Sequence, residues 1–358
     1  MRHIQPLFHT IARWLLAGLF YLLFPMPPLY AGEVETFTLQ SEVLQGTLVG
    51  VNPEREIRVY LPDGYQRGRQ RYPVMYYLHN AWWDNIRLFG DESGLKSLLD
   101  LGIKNGEIPP MIVVAGDFRT PRIGCFFGNN PVNGRWRDHI HDELMPEVDR
   151  RYRTQASASQ RVIAGDFFGG YGALRMVMEY PGAFDSVYSM HPVATDSGER
   201  SILALPDWRL MNTAQSWEEL DVDVINAIFM LMAQSFTPNP NTPPFYADLM
   251  VELIDDELVI NADHVKRLRA NFLLRERLPD TAHALRNMKY IKLDWGRNDN
   301  NPDHVEGNQK FTRMLNTYGV DHEAEEFDGG PFDRYWGEDG RVRTELFPFL
   351  RRAFLDGE

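Results

Sequence analysis

The chain has 358 residues, with 50 acidic against 37 basic side chains and a formal charge of −13 at neutral pH. An acidic exterior repels phosphate backbones and anionic lipid surfaces, so nucleic-acid and anionic-membrane partners are excluded. The single cysteine, Cys125, rules out an intrachain disulfide, and as a lone thiol far from any nucleophile signature it reads as packing.

Residues 1–31 carry Arg2 and Arg13 ahead of an apolar run, residues 14–24, and end in Leu29-Tyr30-Ala31. This is the pattern of a secretory signal with a small-residue cleavage site. The run falls short of the roughly 20 residues that span a bilayer. Export to the periplasm or medium is therefore expected, without a membrane span. Removing the segment takes away two arginines and no acid, which moves the formal charge from −13 to −15.

Residues 33–358 read as one domain. Residues 35–43 and 47–52 suggest edge strands. In residues 55–61, Ile57, Val59 and Leu61 alternate with Glu56, Arg58 and Tyr60, the period of a half-buried strand. Residues 73–79 and 111–116 are continuous apolar runs of the kind found in strands buried on both faces. A helix is expected at 95–103 between them.

After a Gly- and Asn-rich loop at 119–133, Trp136, Ile140, Leu144, Val148 and Tyr152 recur at four-residue spacing as a helix core stripe. That register places Arg137, Asp138, Glu143 and Glu147 in water and makes His139 and His141 solvated. Further strands are expected at 184–190, 290–295 and 322–327, with helices to about 319 and at 343–354. From 198 to about 280 the strand rhythm stops, and helical segments at 217–234 and 262–277 flank a Pro- and Asn-rich stretch. This reads as an insertion that caps or flanks a pocket. Strands alternating with helices predict an α/β domain with a mostly parallel twisted sheet and helices on both faces.

The stretch that organises the chain is residues 161–174, RVIAGDFFGGYGAL. It reads as a buried strand, a sharp turn and a helix opened by Gly169-Gly170, the geometry of a nucleophile elbow. The segment resembles, without a gap, the R-x-I-A-G-x-S-M-G-G-Y-G-A-L elbow of the esterase family of α/β-hydrolases that includes S-formylglutathione hydrolases, feruloyl esterases and mycolyltransferases. Pro243-Pro244-Phe245-Tyr246, Asp294-x-Gly296-x-x-Asp299 and Leu346-Phe347-Pro348-Phe349-Leu350 extend the resemblance, which covers about residues 37–354. An α/β-hydrolase fold is what it implies.

The same resemblance locates the catalytic positions and shows them altered. Phe167 stands at the nucleophile, with Phe168 beside it. Pro331, in Gly329-Gly330-Pro331-Phe332-Asp333-Arg334, stands at the catalytic histidine, and Asp299 stands at the acid. Asn80 replaces the small residue that follows Leu78-His79 in relatives, in the loop that helps form the oxyanion hole together with the amide region of Phe168. Phe has no lone pair with which to attack a carbonyl, and Pro neither accepts nor returns a proton. The triad is degenerate, so the expected role is binding of a small ligand, an acyl- or glycan-type polymer or a protein partner.

Phe126, Phe127, Phe167 and Phe168 point to a pocket that is filled or made apolar. An alternative is an active ester hydrolase or acyltransferase with a rebuilt site. His79, Asp166, His191 and Asp299 each fall at or after the carboxyl end of an expected strand, where α/β ligands bind, with Asp166 and His191 the most unusual pair. A third reading places the role in a surface contact through residues 198–280.

No cofactor or metal motif stands out. The 165–170 glycines lack the Lys-Ser/Thr ending of a phosphate loop. Residues 298–309 lack the Gly and Glu of a calcium-binding EF-hand. Trp82, Trp83 and Trp336 suit either a stacking surface or ordinary burial.

Overall fold

The computed structural model describes residues 31–91, 93–198 and 202–356. The expected secretory segment, apart from Ala31, lies outside them. Eight strands form the central sheet: β1 (Glu33–Gln40), β2 (Glu54–Leu61), β3 (Val74–Leu78), β4 (Ile112–Gly116), β5 (Arg161–Asp166), β6 (Ser186–Met190), β7 (Tyr290–Gly296) and β8 (Glu323–Phe327). Their spatial order is β1-β2-β4-β3-β5-β6-β7-β8. The β1–β2 and β2–β4 pairs are antiparallel, and every later pair is parallel.

Strand alternation divides the core into two layers. Val74, Tyr76 and Leu78 of β3 point to one face, with Ile57, Val59 and Leu61 of β2. Met75 and Tyr77 point to the other, with Tyr60. The second face is covered by α1 (Leu95–Lys104) and by the C-terminal helix Phe347–Leu355, through Leu95, Leu99, Phe347 and Leu350. The first is covered by α2 (Phe168–Glu179), which follows β5, and by the segment between β6 and β7, whose main helices are α3 (Val224–Phe236) and α4 (Ala262–Phe272). The helix α5 (Pro302–Thr317) follows β7 and packs Phe311 and Leu315 on the same side. The Phe347–Leu355 helix is α6.

Three local expectations are corrected. Residues 47–52 form no strand, because Gly46 and Gly50 take positive φ values of 66° and 72° and turn the chain there. His139 is fully buried, and Arg137 and Asp138 are buried as well. The helix widens into a π-turn over His139–Leu144, and Glu143 reaches across to Ser41 and to the backbone N–H groups of Glu42 and Val43, at 2.7 and 3.0 Å. The 41–52 loop therefore covers a face that periodicity alone assigns to water. Finally, the inserted segment also carries a β-hairpin, Val251–Ile254 with Glu257–Ile260, turning through Asp255-Asp256.

Candidate functional site

The β5–α2 turn is held by close backbone packing. A Cβ on Gly169 would drive into the carbonyl oxygen of Leu78 at the end of β3, so only glycine lets helix and strand approach this closely. Phe167, between strand and helix, adopts φ 56° and ψ −109°. A bulky residue rarely holds such a positive φ unless its surroundings enforce it. Here the Phe167 N–H donates to Met190 O at 2.9 Å, and its carbonyl accepts Tyr171 N–H at 2.9 Å. The ring is buried among Trp82, Phe168, Phe332, His191 and His304, at centroid distances of 5.1–6.1 Å.

Beneath the turn lies Asp166, fully buried at the end of β5. It accepts Tyr77 O–H at 3.0 Å and Asn80 Nδ2–H at 2.6 Å. Burial outweighs both hydrogen bonds and pushes its carboxyl up to about 6. Asn80 faces two ways, because its Oδ1 also accepts the N–H groups of Trp82 and Trp83 at 2.9 and 3.1 Å. Two amides of the loop after β3 are thus taken by a side chain of that loop. His79 is likewise committed: its Nε2 accepts Phe118 N–H at 3.0 Å, and its Nδ1 donates to Asn80 O at 2.8 Å.

At the ends of β6 and β7 a second network forms around Asp299. His191, at φ 44°, is fixed by its own N–H donating to Asp294 O at 2.8 Å. Its Nδ1 accepts Gly296 N–H at 3.0 Å, so the ring proton sits on Nε2, which donates to Asp299 Oδ2 at 2.8 Å. His304, in the first turn of α5, donates from Nδ1 to the same oxygen at 2.8 Å. Asn301 N–H adds a third donor, to Oδ1 at 2.8 Å. Burial pushes the Asp299 carboxyl up, but the histidine and backbone donors prevail and hold it well below the usual carboxylate range. Burial lowers the His191 imidazole against the opposing pull of Asp299.

Of the four residues expected to converge, the structure therefore brings His191 and Asp299 together. Asp166 and His79 spend their hydrogen bonds elsewhere, and Asp166 and His191 make none to each other. His304, in the polar stretch after Asp299, is the member that sequence reasoning missed. Its signal was a histidine five residues beyond the acid, at the start of a helix.

His191, Asp299 and His304 place three ligand atoms within 4.8 Å of one another, a set that invites a metal reading. The tautomers oppose it. An ion on His191 Nε2 would move the ring proton to Nδ1 and point it at the Gly296 N–H. The donor set fits a hydrogen-bonded carboxylate better than a cation.

Next to the β5–α2 turn lies a cavity of about 520 Å³, which the second network reaches through Asn301 and His304. Phe126, Phe167 and Phe168 line it, α3 and α4 supply Ile228, Phe229 and Leu268, and Asn301 and His304 contribute polar groups. Phe126 stacks on Phe168 at 4.0 Å between centroids. Phe127 turns away to Phe118 and Gly172. The aromatic residues thus line an open space instead of filling it. The cap is tied to α2, where Tyr171 O–H donates to Phe272 O at 2.9 Å and Arg175 to Asn271 O at 2.6 Å.

A family model described as Putative esterase matches residues 50–339. The chain belongs to this esterase family. It is 27% identical over 296 residues to Esterase Rv1288 of Mycobacterium tuberculosis (strain ATCC 25618 / H37Rv), covering 80% of this chain and 54% of that protein. It is 32% identical over 162 residues to an endo-1,4-beta-xylanase/feruloyl esterase of Xylanibacter ruminicola, covering 43% and 20% respectively. The chain thus spans about half the length of the mycobacterial relative.

Among solved structures, a ferulic acid esterase superposes with a TM-score of 0.62 at 20% identity, covering 91% of this chain and 99% of that one. An S-formylglutathione hydrolase from Staphylococcus aureus superposes at 0.57 and 12%, covering 89% and 98%. The esterase-family neighbours share the α/β-hydrolase fold described above, with its mostly parallel sheet and flanking helices.

Proposed function

We propose that this esterase-family chain is an exported, non-catalytic binding protein that holds an apolar ligand in the cavity between the β5–α2 turn and the inserted helices. The observation that carries the reading is Phe167. The turn keeps the strained backbone of a nucleophile elbow, yet the residue it presents to the cavity is a hydrocarbon ring. In the family frame Pro331 stands where a proton-transferring histidine belongs, and Asn80 takes the Trp82 and Trp83 amides of the oxyanion-side loop. A cavity of about 520 Å³ lies within the range of small-molecule sites and is lined mainly by aliphatic and aromatic side chains. Export is part of the proposal and rests on the composition of residues 1–31.

Titration with the neutral aryl probe N-phenyl-1-naphthylamine tests the binding role. Saturable one-to-one binding is expected, and Ile228→Arg, which places a charge in the cavity wall, should abolish it while the fold persists by circular dichroism. Failure of the wild type to saturate would overturn the reading. N-terminal sequencing of the chain recovered from periplasm or medium tests export, with a start near residue 32 expected.

A further inference from the structure

Asn301 and His304 are hydrogen-bonded to each other in the lining of the apolar cavity, and their bonds fix what the pair can recognise. His304 Nδ1 lies 2.8 Å from the ionised Asp299, so it carries the ring proton and leaves Nε2 as an acceptor. Asn301 Oδ1 accepts Asp303 N–H as the N-cap of α5, which orients the amide and points Nδ2–H at His304 Nε2, 3.0 Å away. Both residues line the cavity. Asn301 and His304 therefore offer the cavity an adjacent donor and acceptor.

From this geometry, and resting on the reading of the cavity as a ligand site, we propose that the ligand is an alcohol or phenol. Its alkyl or aryl tail lies against α3 and α4, and its hydroxyl sits between Asn301 Nδ2 and His304 Nε2. A hydroxyl inserted there accepts the Asn301 N–H on its oxygen and gives its own proton to Nε2. One hydrogen bond becomes two, and no polar group is orphaned.

Other heads fit less well. A carboxylate accepts from Asn301 but has no proton for Nε2, and it would stand close to the Asp299 anion. Asp196 and Asp303 also line the cavity, and Asp196 is paired with Arg275 at 2.9 Å. Arg269 on α4 lines it too, but among the described residues no arginine or lysine hydrogen-bonds to His304 or Asn301. An ammonium can donate to Nε2 but leaves the Asn301 N–H facing a cation.

Calorimetric titration of the mature chain with 1-octanol, octanoate and octylammonium tests the proposal, with N-phenyl-1-naphthylamine as the tail-only control. Octanol should bind at least tenfold more tightly than either ion, the cost of leaving one polar group unpaired. From 1-butanol to 1-octanol, affinity should rise about fourfold per methylene. His304→Phe should erase the octanol preference while retaining the naphthylamine. His304→Gln, whose amide oxygen still accepts a proton, should keep part of it. Equal binding of octanol and octanoate, or a preference that survives His304→Phe, would overturn the hydroxyl assignment alone. Failure of the naphthylamine to bind would overturn the cavity reading beneath it.

Discussion

Two parts of one sheet edge differ in what they present. At the β5–α2 turn the backbone is that of an elbow, fixed by the approach of Gly169 to Leu78 O, while the side chain it presents is apolar. At the ends of β6 and β7 the carboxylate of Asp299 remains polar and is surrounded by His191, His304 and the Asn301 amide. The contrast separates what holds a site's shape from what gives it chemistry. Close backbone packing preserves the first without reference to the residue displayed, whereas the second changes with single side chains.

The shape half is the easier to break. Gly169→Val has nowhere to place its side chain, and the expected loss is about 4 kcal/mol or more in urea unfolding, enough to prevent folding of a marginal domain. A loss under 1 kcal/mol would mean that the strand and helix can separate, and the packing argument would fail.

On the chemistry half, Asp299→Asn replaces one carboxylate oxygen by a donor facing histidine N–H groups. A loss of about 2–4 kcal/mol at pH 7 is expected. Because the folded carboxyl is depressed, its contribution is fully present above the unfolded value of about 3.9 and is lost as pH falls below it. The difference between variant and wild type should therefore shrink below about pH 4. A difference independent of pH would place the cause in packing.

Asp166 has the opposite sign. Its carboxyl is raised from 3.8 to about 6, so its stabilising influence is greatest below the unfolded value and is lost as pH rises through about 6. Relative to wild type, Asp166→Asn should gain about 2 kcal/mol between pH 4.5 and 7.5. A constant gap across that range would show that Asp166 does not titrate within it. Smallest of all, zinc at millimolar concentration should leave the melting temperature unchanged. A rise of several degrees would overturn the tautomer argument against a cation at His191 and His304.

Much of this was legible in the residues. Buried strands such as Val74–Leu78 announce themselves as unbroken apolar runs, and Gly169-Gly170 after a strand marks the turn. His304 was not legible as a partner of Asp299, because its contact depends on how the 299–303 loop folds back onto α5. Nor was the burial of His139, which a loop distant in sequence covers. The hairpin in the inserted segment had a signal that helical composition masked: two apolar-rich runs flank Asp255-Asp256, a turn pair that tolerates positive φ. Local periodicity reports elements and faces, whereas a site assembled from several loops is reported only by their tertiary contacts.

Hydrolysis of a panel of short-chain and aryl acyl esters by the mature chain, beside its Asp299→Asn and Asp166→Asn variants, bears most directly on whether the elbow is catalytically silent. Rates indistinguishable from buffer are predicted for all three proteins. Wild-type turnover near 1 per second or faster, abolished by either substitution, would contradict a binding role and require a rebuilt hydrolytic site.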